Sequence, residues 1–204
     1  MRKLMCSALM IGLLVLSACG GTKQQRLESF RERFAESDSL RMTARVQADC
    51  GDTVETYTLE YSYDGAEWTV LVTEPAFAAG ITARIGADAS ELEYDGAILA
   101  TGDLLENGIS PIASVPLLAE TLRTGTFDSM WSEEELLAGT YLYDDARSAS
   151  VWFDAAGLPI AGELMENGIT KVRCTFANTE IKDSNDETTD KTNMGGDQSD
   201  PFGA

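Results

Sequence analysis

The sequence predicts an α+β domain, a long meander of antiparallel strands accompanied by two helices. Three observations carry this. From residue 40 onward, apolar residues recur at every second position instead of every third or fourth. Three dipeptides, Asp64-Gly65, Asp95-Gly96 and Asn167-Gly168, sit between alternating runs, where a type I′ hairpin turn needs two residues at positive φ. Two stretches, 26–37 and 111–123, keep a helical spacing. The composition suits a folded chain: 44% of the 204 residues are hydrophobic and 24% are charged.

The N-terminus reads as an address. Arg2 and Lys3 form a basic start, 5–18 is uncharged, and the apolar run 8–16 is too short to cross a bilayer. Leu16-Ser17-Ala18-Cys19 then resembles a bacterial lipobox. Small residues before the cysteine suit a narrow peptidase cleft, and the thiol is the nucleophile for lipid attachment. The expectation is a signal peptide over 1–18, cleavage before Cys19, a diacylglycerol cysteine bearing palmitate-type chains, and a polar tether over 19–25. Such a protein is extracytoplasmic and held to the membrane by its N-terminal lipid. Loss of Arg2 and Lys3 takes the net charge from −19 to −21.

The folded part is expected over 26–181. Its first helix, 26–37, places Leu27, Phe30 and Phe34 on one face. A strand over 41–50 alternates Met42, Ala44, Val46, Ala48 and Cys50 with polar residues. A second, 53–63, carries Tyr57, Leu59, Tyr61 and Tyr63 on one face, and Asp64-Gly65 turns it into 67–73. Pro75 ends that strand; 81–85, 91–94 and 98–100 are shorter ones. The second helix, 111–123, has Leu117, Leu118 and Leu122 on its apolar side and Gly125 as its stop. Residues 126–140 are ambiguous, because Ser132 and Glu135 fit a helical capping box while 136–139 is poor helix material. Strands resume at 140–143, 148–153, 160–166 and 169–179, and the polar, acidic tail 182–204 is expected to be disordered. One internal echo, 102–110 against 162–170, has no supporting period.

Charge and composition also exclude function classes. With no histidine there is no Ser-His-Asp or Cys-His catalysis and no His-ligated metal. A net charge of −19 argues against nucleic acid as a partner. There is no GxGxxG after a strand, no Walker A motif and no CxxC, and the acidic clusters at 133–135 and 144–145 lack tuning partners. The chain is therefore expected not to be an enzyme, to need no cofactor and to bind no metal. Cys50 and Cys174 both fall on the apolar side of their strands, in a compartment that permits disulfides. They either bridge the first strand to the last, closing a loop of about 125 residues, or remain as two buried free thiols.

Several segments together resemble the lipoprotein carrier LolA and its relatives. They are Tyr63-Asp64-Gly65-Ala66-Glu67-Trp68-Thr69-Val70-Leu71-Val72 followed by Pro75, Ser110-Pro111 before Leu117-Leu118, Val151-Trp152-Phe153-Asp154 with Gly157-Leu158-Pro159, and Thr175-Phe176-Ala177-Asn178 with Ile181. The resemblance spans roughly 27–181. It implies a strongly curved antiparallel sheet, an open half-barrel, with helices packed on its concave face and a lipid or acyl-chain ligand between the two. The residues suit such a cavity: Ala44 and Ala48 leave space, Tyr57, Leu59 and Tyr61 offer a wall, and 74–81 is an apolar connection able to serve as a lid. Candidate lining residues are Ala44, Val46, Ala48, Tyr57, Leu59, Tyr61, Phe77, Ile81, Leu117 and Leu118. Equally, all of these pack on the protein's own helices. The functional expectation is a non-catalytic, lipid-anchored envelope protein that binds lipid. The alternative is an envelope sensor or protein-interaction lipoprotein that uses the same fold without cargo.

Overall fold

The computed structural model describes residues 22–87 and 89–182. The expected signal peptide, Cys19 and the tail beyond residue 182 lie outside the described residues. The elements run α1 (Lys23–Ala35), β1 (Ser39–Asp49), β2 (Val54–Tyr63), β3 (Trp68–Glu74), β4 (Thr82–Ile85), β5 (Ser90–Tyr94), β6 (Ala97–Gly102), α2 (Ser114–Thr124), β7 (Thr126–Glu133), β8 (Leu136–Leu142), β9 (Arg147–Phe153), β10 (Pro159–Glu166) and β11 (Ile169–Lys182).

All eleven strands form one antiparallel sheet in the order β6-β5-β4-β3-β2-β1-β11-β10-β9-β8-β7. The first and last strands pair at its centre, with Ala44 opposite Phe176 and Val46 opposite Cys174. Each half is then a run of hairpins leading outward. The sheet does not close: β6 and β7, consecutive in the chain, are its two edges. A sheet this wide twists and curls, and one face is lined by the buried alternate residues of the inner strands, such as Leu40, Met42, Ala44, Val46 and Ala48 on β1. The result is the open, curved half-barrel with two helices.

Helix α1 starts three residues before the expected position, because Thr22 and Gln25 form a reciprocal capping box. The Thr22 hydroxyl accepts from the Gln25 N–H at 3.2 Å, and the Gln25 side chain accepts from the Thr22 N–H at 2.8 Å. Leu27 and Phe34 are buried, and the Phe30 ring lies 5.8 Å from that of Phe153. Helix α2 is buried almost all round, from Ser114 to Ala119 and again at Thr121 and Leu122, as expected of a helix inside a fold. Pro116 falls in its first turn, where no backbone hydrogen bond is lost. The helices tie each other's C-termini. Arg123 donates twice to the Ala35 carbonyl, at 3.0 and 3.1 Å, while Arg31 donates to the Leu122 carbonyl. Each arginine thereby satisfies a carbonyl that has no partner within its own helix.

Three expectations are corrected. The ambiguous stretch 126–140 contributes no helix: it is the β7–β8 hairpin, turned at Glu134 with φ +53. Alternation decides the matter, since Leu137, Gly139 and Tyr141 face the core while Ala138 is covered on the opposite face. Lys182 belongs to the end of β11 and not to the tail. Cys50 and Cys174 are both free thiols. Cys50 lies past the end of β1, exposed, in the turn to β2, where its N–H donates to the Thr53 carbonyl at 2.9 Å. Cys174 stands opposite Val46, four positions back along β1. At about 3.3 Å per residue that offset is roughly 13 Å, beyond the ~7 Å a disulfide spans.

The internal echo has no structural counterpart. Residues 162–170 form the β10–β11 hairpin, whereas 102–110 leaves the end of β6 for the connection to α2.

Candidate functional site

The concave face is built in two ways. Over β8, β9 and β10 the helices pack directly on it, and the space of about 420 Å³ left at its outer margin, between the start of α1 and Phe127 and Tyr141, is lined largely by polar residues such as Thr22, Gln24, Gln25 and Glu28. Glycines let the helices touch the sheet: a Cβ at Gly139 would lie 2.7 Å from Leu27, one at Gly162 would lie 2.9 Å from Leu118, and one at Gly157 would collide with the Phe30 ring. Leu137, Tyr141, Ala149, Val151, Phe153 and Leu164 close this layer, all buried.

Over β2 to β5 the sheet carries no packed helix, and α2 meets β2 through its first residue, Ser114, at Tyr61. The chain between β6 and α2, residues 103–113, crosses instead as an irregular strap, leaving a cavity of about 420 Å³. The sheet supplies Tyr57, Val72 and Leu92 as its floor. The β3–β4 connection supplies Phe77, Ala78 and Ile81, and the strap supplies Leu104, Pro111 and Ile112, with Ser110 as the single hydroxylic residue besides Tyr57. No charged residue lines it. The volume falls in the ordinary range of small-ligand sites, about 300–1,000 Å³.

The β3–β4 connection is anchored and does not hang as a loose lid. Val72 donates to the Ile81 carbonyl at 2.9 Å and accepts from the Gly80 N–H at 2.9 Å, and Ala78 is buried beneath it. Phe77 swings outward, 74% exposed at the rim.

A buried polar chain sets the boundary between the two regions. The Tyr61 hydroxyl donates to the Pro111 carbonyl at 2.8 Å and lies 3.0 Å from the Ser114 hydroxyl. Ser114 donates to the same carbonyl at 2.8 Å, and the Cys174 thiol donates to Ser114 across 3.6 Å. The chain thus joins β2, β11, the strap and the start of α2, whose N-cap Ala113 provides no side-chain cap. Burial pushes the Cys174 thiol up to about 12 and the Tyr61 hydroxyl well above its ordinary range. Both stay protonated near neutral pH. A protonated, buried thiol is neither nucleophile nor metal ligand.

Of the residues expected to line a cavity, Tyr57, Phe77 and Ile81 do so. Ala44, Val46, Ala48, Leu59 and Tyr61 face the same concave side, but are no more than 4% exposed and belong to the packed core. Leu117 and Leu118 belong to the helix that fills the space. The correction has one cause: α2 docks over β8–β10 and reaches inward through Ser114 to Tyr61 of β2 and Cys174 of β11, and the residues of that wall pack into one buried core with it. Val72, Ala78, Leu92, Leu104 and Ile112 were not singled out by the sequence. Val72 and Leu92 sit in plain alternating runs; Leu104 and Ile112 sit in an irregular strap with no period to mark them.

Among the described residues no helix is long and apolar enough to cross a membrane. No family model matches the chain, and a search of curated proteins finds no match. Among solved structures, it is similar to a LolA superfamily protein from Nitrosomonas europaea, at 12% identity over 82% of this chain and 97% of that one, with a TM-score of 0.48. It is similar to a putative outer membrane lipoprotein-sorting protein domain from Vibrio parahaemolyticus, at 13% identity over 82% and 97%, TM-score 0.45. It is also similar to the Mycobacterium tuberculosis lipoprotein LppX, at 10% identity over 75% and 94%, TM-score 0.40.

Proposed function

We propose that this chain is a non-catalytic protein of the bacterial cell envelope, held to the membrane through an acylated Cys19, that binds a lipid acyl chain in the cavity between β2–β5 and the strap. One observation carries the reading: an apolar space of about 420 Å³, free of charged lining residues, in the half of the concavity that no helix fills. Each methylene buried there contributes about 0.8 kcal/mol, so a single chain binds without a charged contact. Ser110 and the Tyr57 hydroxyl are available for the more polar end of a ligand. The lipobox-like start supports the location. The absence of histidine and the protonated state of Cys174 and Tyr61 favour a binding role over catalysis.

The test is native mass spectrometry of the chain carrying Cys19→Ser, incubated with vesicles of phosphatidylethanolamine and phosphatidylglycerol. A lipid adduct is expected, and Ile81→Trp, which fills the cavity, should abolish it. Absence of any adduct, or an adduct indifferent to Ile81→Trp, sinks the cavity reading.

A further inference from the structure

The edge strand β6 borders the cavity: Leu99 stands directly opposite Leu92, one of the cavity's floor residues. The β5–β6 turn has Asp95 at φ +51 and Gly96 at φ +79, the two positive angles of a two-residue type I′ hairpin. In such a hairpin Tyr94 and Ala97 exchange both backbone hydrogen bonds, and bonded and non-bonded pairs then alternate. Leu92 and Leu99 are a bonded pair; Glu93 with Ile98, and Glu91 with Ala100, are non-bonded ones. The N–H and C=O of Ile98 and of Ala100 therefore point away from β5, out of the sheet. The next carbonyl along, Thr101, accepts from the Asn107 side chain at 3.4 Å, so the open stretch is Ala97 to Ala100.

Proteins usually blunt such an edge with charge, proline or a bulge. The open stretch Ala-Ile-Leu-Ala has no charge and no proline, and Ile98 and Leu99 are each 63% exposed. Both edges carry a register shift, at Thr101 just past the open stretch of β6 and between Phe127 and Ser129 on β7, but β7 adds the charges of Asp128 and Glu133. The surroundings of β6 are not neutral. Glu91 and Glu93 lie beside Ala100 and Ile98 on the convex face, Asp95 is in the turn, and Asp103 and Glu106 follow the strand. Arg84, 3.9 Å from Glu93, is the neighbouring cation.

We infer that β6 accepts an extended segment of a partner protein as an added strand, and that this segment alternates apolar with basic residues. The backbone groups of Ile98 and Ala100 supply the ladder. Side chains of the added strand that face the concave side meet Leu99 and the rim of the cavity; those facing the convex side meet the glutamates. A second copy of this chain fits poorly, because pairing β6 with itself brings the same acids against one another. The inference stands on the sheet edge and does not depend on what the cavity holds.

The test titrates the blocked peptide Lys-Val-Lys-Val-Lys-Val into the Cys19→Ser chain by calorimetry. Binding is expected, weakened by salt, and absent for Glu-Val-Glu-Val-Glu-Val. Ala100→Pro removes an outward N–H while leaving the β5–β6 bonds intact; it should weaken binding at least about tenfold. Ile98→Lys should weaken it as well, by charge alone, and serves if Ala100→Pro disturbs the fold. Equal binding of both peptides, no binding, or binding indifferent to both variants overturns the inference. Concentration-dependent dimers abolished by Ala100→Pro would assign the edge to a second copy and overturn the partner.

Discussion

The two halves of the concave face use one sheet and one pattern of alternation, yet one is filled and the other hollow. Over β8–β10 the sheet offers Gly139 and Gly162 where the helices arrive, and Leu27 and Leu118 come into contact with its backbone. Over β2–β5 the cavity floor is Tyr57, Val72 and Leu92, no glycine opens the sheet's backbone to a helix, and what crosses them is a strap without helical period. A helix presents side chains in a close-set face that interdigitates with a sheet. The strap reaches the sheet only at a few points, such as Leu104, Pro111 and Ile112, and the volume between them remains. The difference teaches that the cavity is a product of chain connectivity: the long link between the two edge strands spends its one helix on β8–β10 and has none left for the first half.

The sharpest way to break this comparison is to empty the filled half. Leu118→Ala removes a side chain 1% exposed and wedged against Gly162. The expected loss is about 2–5 kcal/mol. Ile81→Ala, at a half-buried residue already facing open space, should cost less than about 1.5 kcal/mol. Chemical denaturation of the two variants checks the contrast, and equal losses would mean that the first half is as tightly packed as the second. Overfilling gives the mirror image. Gly162→Val pushes into Leu118 and Phe176 and should cost about 1–3 kcal/mol. Ala78→Leu, pointing into the cavity, should leave stability unchanged or raise it by up to about 2 kcal/mol, while reducing lipid uptake.

Most of the architecture was legible in the sequence, for local reasons. Asp95-Gly96 and Asn167-Gly168 mark their turns because both residues take positive φ, which few others do cheaply, and the period-two alternation marks the strands; at Asp64-Gly65 only Gly65 does so, in a four-residue connection where the Asp64 carboxylate accepts from the Ala66 and Glu67 N–H groups. The β7–β8 hairpin was obscured by chance capping chemistry at Ser132 and Glu135 and by Gly139, whose reason is a tertiary contact with Leu27. The site was only partly legible. Alternation says that Ala44, Val46, Leu59 and Tyr61 face inward, but not what covers them; that depends on where α2 docks. Tyr61 is the clearest case, since its ring belongs to the apolar stripe while its hydroxyl bonds a carbonyl 50 residues away. The free thiols have the same origin: both cysteines read as inward-facing, and only the β1–β11 register shows that they sit too far apart along the strands.

The seam between the halves should be the alkaline-sensitive part of the molecule. Cys174 is pushed from 9.0 to about 12 by burial, and Tyr141, in the filled half, from 10.0 to about 12. Between pH 9 and 12 the unfolded chain releases protons that the folded chain retains, so folding stability falls as pH rises, by at most about 1.4 kcal/mol per pH unit for each such group. Below pH 9 the thiol's contribution is fully present. Cys174→Ala should flatten the decline that begins near pH 9, as read from denaturation midpoints across the alkaline range. An unchanged slope would show that the thiol is not shielded by the fold.

The smallest effects distinguish the two buried tyrosines. Tyr61→Phe deletes the bond from β2 to the strap and should cost about 0.5–1.5 kcal/mol, since Ser114 still donates to the Pro111 carbonyl. Tyr141 has a ring in the filled half, edge-on to Phe127 at 5.7 Å, and a buried hydroxyl without a hydrogen-bond partner among the described residues. Tyr141→Phe therefore keeps the packing and removes a group whose burial is uncompensated, and stability should stay level or rise by up to about 1 kcal/mol. Thermal unfolding of both variants decides it. A loss at Tyr141 as large as that at Tyr61 would show a bonded hydroxyl there. The filled half would then be held by polar contacts as well as by glycine-mediated packing, and polarity would no longer separate the seam from the region it borders.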